Sequence, residues 1–332
     1  MKKIARLINA EKQELFHATA IKMGMRPEII EKDFWVCYML DHLFHECEYK
    51  DTFVFKGGTS LSKSYHVIKR FSEDIDLILD WRKIIKDGSD PWDERSKTKQ
   101  DAYNKQINKA AALFYEEKLV PQLNGELSGK LGEGKWVAID DDDELVVNFA
   151  YPQIFQTEYI VPYVRLEIGP LAEWTPSHIT NITPFAAEQY GQLFEQKSTD
   201  VLTIDAERTF WEKIAILHKI ANFSEDKVLP YRYARHLYDV YCLGHSDIKA
   251  LAFEKKTLLA QDILFKQKFY YSKSAHYETA STSTIKLVPG EHVTKSLKAD
   301  YAAMSNMFYE NAPEFDEVLK YLGQLESEIH NL

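Results

Sequence analysis

Apolar positions change their spacing along this chain, and the changes mark out its elements. Residues 31–44, EKDFWVCYMLDHLF, repeat apolar side chains at three- and four-residue steps, so residues 1–50 read as helices. Residues 52–55, TFVF, are β-branched and aromatic and read as a buried strand, which Gly57-Gly58 breaks. Thr59 then suits the N-cap of a helix over residues 60–69. A second strand is expected at residues 73–79, where Ile75, Leu77 and Leu79 alternate with Asp74 and Asp76. Residues 81–143 interrupt the alternation: a polar loop, a helix over about residues 96–119, a Gly-rich link, and an acidic run from Asp140 to Glu144. Consecutive side chains diverge, so that run reads as a solvated hairpin loop rather than a metal cluster.

Strands resume at residues 145–151, LVVNFAY, and at residues 159–169, YIVPYVRLEIG. In the latter, Val164, Leu166 and Ile168 alternate with Arg165 and Glu167, so Glu167 is expected on the polar face beside Asp76. From Asp205 onward the period is helical. A helix capped by Asp205 places Phe210, Ile214, Leu217 and Ile220 along one side, and a second, residues 231–244, is expected to end with Gly244 as its C-cap. Two more helices are expected at residues 296–309 and 314–331. The organisation is α+β: N-terminal helices at residues 1–50, a core with a mixed sheet at 51–200 carrying the insertion at about 81–143, and a helical subdomain at 201–332.

Composition narrows the class. A chain of 332 residues with 45% hydrophobic and 13% aromatic content can bury a large core. No apolar run is long enough to span a bilayer, and the opening MKKIARLINAEKQELF has acids where a signal peptide has its apolar stretch. Cys37, Cys47 and Cys242 form neither a disulfide framework nor a zinc spacing, so a reducing, cytoplasmic location is expected. A formal net charge of −10 argues against binding nucleic acid by bulk electrostatics. A local basic surface remains open: residues 249–298 hold nine lysines against four acids, interleaved with Phe269, Tyr270, Tyr271 and Tyr277. The same pattern fits a solvated face over buried tyrosines.

The candidate chemistry lies in Lys56-Gly57-Gly58-Thr59-Ser60 and in Asp74-Ile75-Asp76. A glycine turn opening a helix lets backbone N–H groups approach phosphate oxygens. Two carboxylates on one strand face repel each other, and a hard divalent cation, Mg²⁺ or Mn²⁺, offsets that cost. Lys56, Gly57, Gly58 and Thr59 are therefore candidate nucleotide-binding residues, with Asp74 and Asp76 as metal ligands and Glu167 as a third acid. For Glu167, a partnership with Arg165 or a neighbouring lysine is equally compatible. A Walker A reading fails because Ser62 stands where the second glycine is needed. A glycosyltransferase Asp-x-Asp leaves the glycine turn unexplained. Arg70 is a further candidate for phosphate, and His66 reads as structural.

Several separated motifs, EKDFWV, FKGGTSL, RFSEDIDL, ERTFWEKI, RHLYDVYCL and the tail from YAAMSNMF to PEFDEVL, resemble the AbiEii/AbiGii-type toxin nucleotidyltransferases. The resemblance implies a DNA polymerase β-like nucleotidyltransferase core and a cognate antitoxin. It also implies transfer of a nucleotide from an NTP to an acceptor, which in characterised relatives is tRNA, as a toxin that blocks translation. Gly58 and Thr59 match its phosphate-binding turn, Asp74 and Asp76 its metal pair, Lys213 its helical lysine and Asp239 its later aspartate. The implied roles are Lys213 on the triphosphate, and Asp239 either holding that lysine or acting as a base. Without the resemblance, both read as a surface ion pair. Protein nucleotidylation and a non-catalytic nucleotide-binding module are the competing functions.

Overall fold

A computed structural model describes residues 1–157, 160–172, 175–224 and 227–332. The chain forms two compact units: Met1–Ser64 with Phe71–Ile204, and Tyr65–Arg70 with Asp205–Leu332.

The first unit is built on a seven-stranded mixed sheet of order β3-β4-β5-β2-β1-β7-β6. Its strands are β1 (Phe53–Lys56), β2 (Ile75–Leu79), β3 (Val137–Ile139), β4 (Val146–Phe149), β5 (Val164–Gly169), β6 (Ser177–Ile182) and β7 (Thr199–Ile204). β2 is central, antiparallel to β1 and parallel to β5. The strand expected at residues 159–169 begins at Val164, and Tyr159 lies outside the described residues. Helices α1 (Lys2–Ala5), α2 (Asn9–Met23), α3 (Pro27–Asp41), α4 (Gly57–Lys63), α5 (Lys97–Phe114), α6 (Val120–Leu131) and α7 (Phe185–Gln189) complete the unit.

Alternation along β2 sends Ile75, Leu77 and Leu79 into the main core with Phe34, Trp35, Leu166 and Ile168. Ile78 points the other way and is covered by Val54 and Ile204, so the face that carries Asp76 is closed by apolar side chains beyond it. Helix α3, with Pro27 in its first turn, is buried all round from Ile29 to Asp41, charges included.

The insertion differs from its expectation. α5 begins at a Ser96 cap and passes through a π-turn at Tyr115–Leu119 into α6, so Gly125 and Gly129 stand inside a helix instead of a link. Tyr115, Leu119, Leu123 and Leu127 are all fully buried, and the Tyr115 hydroxyl donates to the Ile168 carbonyl at 2.8 Å. That burial outweighs the helix cost of a glycine, about 1 kcal/mol each. Asp140 to Glu144 forms the β3–β4 turn, as expected of a hairpin loop.

The second unit is helical: α8 (Ala206–Ala221), α9 (Arg235–Gly244), α10 (Ile248–Glu254), α11 (Thr257–Phe269), α12 (Glu291–Ala303) and α13 (Phe315–His330). Gly244 is not the C-cap of α9, a position that His245 takes. A Cβ at Gly244 would come within 2.2 Å of the Tyr321 hydroxyl, so the glycine serves the close approach of α13. No helix among the described residues is long and apolar enough to cross a membrane.

Candidate active site

The glycine turn and the acidic strand meet in the first unit. Gly57 takes a left-handed backbone, φ +81°, and a Cβ there would lie 1.9 Å from Asp76 Oδ2. Any side chain at residue 57 would therefore strain the backbone and displace the carboxylate. The helix differs from the sequence expectation: it starts at Gly57 with Lys56 at the N-cap position and ends at Lys63. Thr59 caps nothing. It is fully buried, its hydroxyl donates to the Asp74 carbonyl oxygen, and it lies 3.0 Å from Ser72 Oγ. Thr59 thus holds the backbone of the acidic strand.

In-register pairing places Lys56 opposite Asp76 on one side and Glu167 opposite Asp76 on the other. Directly paired residues share a face, so these three side chains form one row across β1, β2 and β5. Asp74 and Asp76 are both half-buried. Arg165, on the same face of β5 as Glu167, contacts Asp140 at 3.1 Å and Glu167 at 3.8 Å. Burial opposes its charge, but Asp140, Glu167 and Asp74 hold its pKa up. Among the described residues no three His, Cys, Asp or Glu side chains are grouped so as to hold a metal. Glu167 has the expected register beside Asp76. Asp74 and Asp76, two oxygen donors on a half-exposed strand face, suit a hard divalent cation that draws its other ligands from phosphate and water.

The motif around Asp74 is divided between the units, since Arg70 belongs to the second. Arg70 holds Asp239 with both Nε (2.7 Å) and Nη2 (2.8 Å), so its expected place on phosphate gives way to a carboxylate partner. Lys213 Nζ lies 2.7 Å from Asp239 Oδ2, the oxygen that also accepts from Arg70 Nη2. Asp239 is fully buried; burial raises its pKa, yet Arg70 and Lys213 together hold it well below the usual carboxylate range. Burial lowers the pKa of Lys213, with Asp239 opposing and Arg70 adding. A carboxylate so stabilised is a weak base, and the geometry matches the alternative in which Asp239 holds the lysine. Two cations share one anion, which leaves the cluster net positive.

The lysine-rich stretch is less basic in space than in sequence. Lys249 pairs with Glu328 at 3.0 Å, Lys255 with Glu207 at 2.7 Å, Lys266 with Asp262 at 3.5 Å and Lys298 with Asp316 at 2.9 Å. Phe269 and Tyr277 are buried, while Tyr270 and Tyr271 are 54% and 58% exposed. Sequence reasoning gave Glu31, Lys32 and Asp33 no role. All three are buried. The available signal was three consecutive charges inside an otherwise apolar helical stretch.

The model of the family described as "Nucleotidyl transferase AbiEii toxin, Type IV TA system" matches residues 39–321. The chain belongs to this family. Membership makes it a nucleotidyltransferase and a toxin of a type IV toxin–antitoxin system, as its motifs implied. Among solved structures it is similar to MenT4, a nucleotidyltransferase toxin from Mycobacterium tuberculosis H37Rv, at 14% identity and a TM-score of 0.39, over 95% of this chain and 98% of that one. No curated protein matches the chain.

Proposed function

We propose that this AbiEii-family chain transfers a nucleoside monophosphate from an NTP to an RNA acceptor, the 3′ end of tRNA, and so blocks translation. The observation that carries the reading is the seating of Asp76 against Gly57, with Thr59 fixing the backbone of Asp74. Asp74 and Asp76 would hold Mg²⁺ or Mn²⁺, and Lys56, Gly57 and Gly58 would border the nucleotide. When bound, the metal supplies charge that activates the attacking hydroxyl and stabilises the departing pyrophosphate. Thr59 acts through Asp74. Glu167 adds negative charge beside Asp76. In the second unit we assign Lys213 to triphosphate oxygens, with Asp239 and Arg70 holding it in place. What supports RNA as the acceptor is the exposed Tyr270-Tyr271 pair that follows the lysines of the last turn of α11, a combination suited to base stacking beside phosphates. A cognate antitoxin and action in the cytoplasm follow from the same reading.

The test is incubation of the purified protein with α-labelled NTPs, Mg²⁺ and total tRNA, followed by separate RNase and protease digestion. Label that RNase releases, and that Asp76→Asn fails to deposit, supports the reading. Label that survives RNase and yields to protease makes the acceptor a protein. Absence of any transfer removes the reading.

A further inference from the structure

Glu31, Lys32 and Asp33 occupy consecutive positions of α3, so their side chains leave the helix about 100° apart and reach three different segments. Glu31 accepts from the backbone N–H groups of Ile154 (2.7 Å) and Phe155 (3.0 Å). Asp33 takes the Lys63 ammonium at 2.7 Å, at the far end of the helix that Gly57 opens, and the Phe185 N–H at 2.7 Å. Lys32 is completely buried; its ammonium lies 2.6 Å from Glu73 Oε2 and donates to the Val161 carbonyl at 3.1 Å.

The Lys32 contacts fall at a telling place. Glu73 immediately precedes Asp74, and Val161 stands just ahead of β5, the strand that carries Glu167. Strands β2 and β5 are parallel, so both begin at the same edge of the sheet. One buried ammonium therefore ties together the starts of two adjacent central strands. Thr59 donates to the Asp74 carbonyl oxygen, and Thr59 lies in α4, whose last residue Asp33 holds.

We propose that Lys32 and Glu73 are positioning residues for nucleotidyl transfer, setting the Asp74–Asp76 strand against Gly57, with Asp33 and Lys63 doing the same for the glycine-turn helix. The proposal rests on the reading of Asp74 and Asp76 as the metal-holding pair. An ion pair needed only to fill the core would be replaceable by uncharged side chains of similar size. A pair that sets the register of the reacting strand would not be.

The test is the neutral pair Lys32→Met with Glu73→Gln, which removes both charges and leaves neither stranded. Transfer of label from NTP to tRNA should lose about 10–100-fold in kcat, as happens when a support behind a ligand is removed. KM for the NTP should move by less than about threefold, because the substrate contacts remain. Amide hydrogen exchange over residues 71–79 should speed up while that of the β6–β7 hairpin stays unchanged, a local signature that a general packing defect does not give. Should the pair variant fail to fold, Glu73→Gln alone keeps the volume and one acceptor for Lys32, and is expected to shift kcat and exchange in the same directions. Wild-type kcat and wild-type exchange in either folded variant overturn the proposal. Wild-type protein that transfers label to nothing overturns the nucleotidyl reading beneath it, a different result from an active wild type beside unaffected variants.

Discussion

Asp76 and Asp239 are both aspartates within motifs of the family, yet their surroundings differ. Asp76 is half-buried on a strand, with Gly57 pressed against its carboxylate and Lys56 and Glu167 as its in-register neighbours. Asp239 is wholly buried, and both of its oxygens are occupied by Arg70 and Lys213. Asp76 is partly exposed to solvent. Asp239 has already been neutralised by the protein's own cations, so its effect is to hold Lys213. Glu31 makes a third point of reference: it is equally buried, but its hydrogen-bond donors are backbone N–H groups, and burial pushes its pKa up to about 7. Asp239 and Glu31 are similarly buried yet shift in opposite directions, because the partners of Asp239 carry positive charge and those of Glu31 are backbone N–H groups.

The largest effect that separates the two aspartates is on stability. Asp239→Asn leaves Arg70 and Lys213 buried without their counter-charge, and should cost about 3–5 kcal/mol in urea unfolding. A loss below about 1 kcal/mol would mean that the pairing with Arg70 and Lys213 contributes little to stability. Next comes Gly57→Ala, expected to lower kcat about a hundredfold, roughly 2.7 kcal/mol, by moving the Asp76 carboxylate. Gly24→Ala is its control. Gly24 is also left-handed, φ +65°, but has nothing within 4 Å of an added Cβ, so it should lose stability without losing activity. Equal activity in the two variants would detach Gly57 from Asp76.

Acid and base should act on the buried carboxylates with opposite signs. Glu31 has a folded-state pKa raised from about 4.5 to about 7, so the folded protein holds a proton that the unfolded chain releases in that window. Its contribution to stability therefore falls as pH rises from about 4.5 to 7, by at most about 1.4 kcal/mol per unit. Glu31→Gln should flatten that slope in unfolding measured across the range. Asp239 is depressed, so its contribution is present above the usual aspartate range and is lost as pH falls towards its folded value. The smallest effect concerns the acceptor: Tyr270→Ala with Tyr271→Ala should raise KM for tRNA by roughly tenfold, near 1.4 kcal/mol, and leave KM for the NTP unchanged. Unchanged RNA kinetics would move the acceptor surface elsewhere.

Local order was readable in the sequence because it depends on near neighbours. The alternation around Asp74 and Asp76 placed β2, and that in residues 164–169 placed Glu167 opposite Asp76. What could not be read were partners chosen by tertiary packing. Arg70 meets Asp239 across a separation of 169 residues, and no spacing rule distinguishes that carboxylate from a phosphate. Lys32 and Glu73 are 41 residues apart, and no local spacing pairs them. Thr59 has the right chemistry for a cap, but the Asp74 carbonyl took its hydroxyl. Gly125 and Gly129 signalled a link where buried leucines imposed a helix. In each case a local preference was overruled by a contact distant in sequence.

Asp76→Asn tests the central claim most directly, with transfer of label from NTP to tRNA and urea unfolding measured on the same preparation. The substitution keeps the side-chain volume and removes one charge from the face that Gly57 abuts. Transfer should fall by more than about a hundredfold while the unfolding midpoint stays at its wild-type value. Full transfer by the folded variant would contradict the assignment of Asp74 and Asp76 as the metal-holding pair.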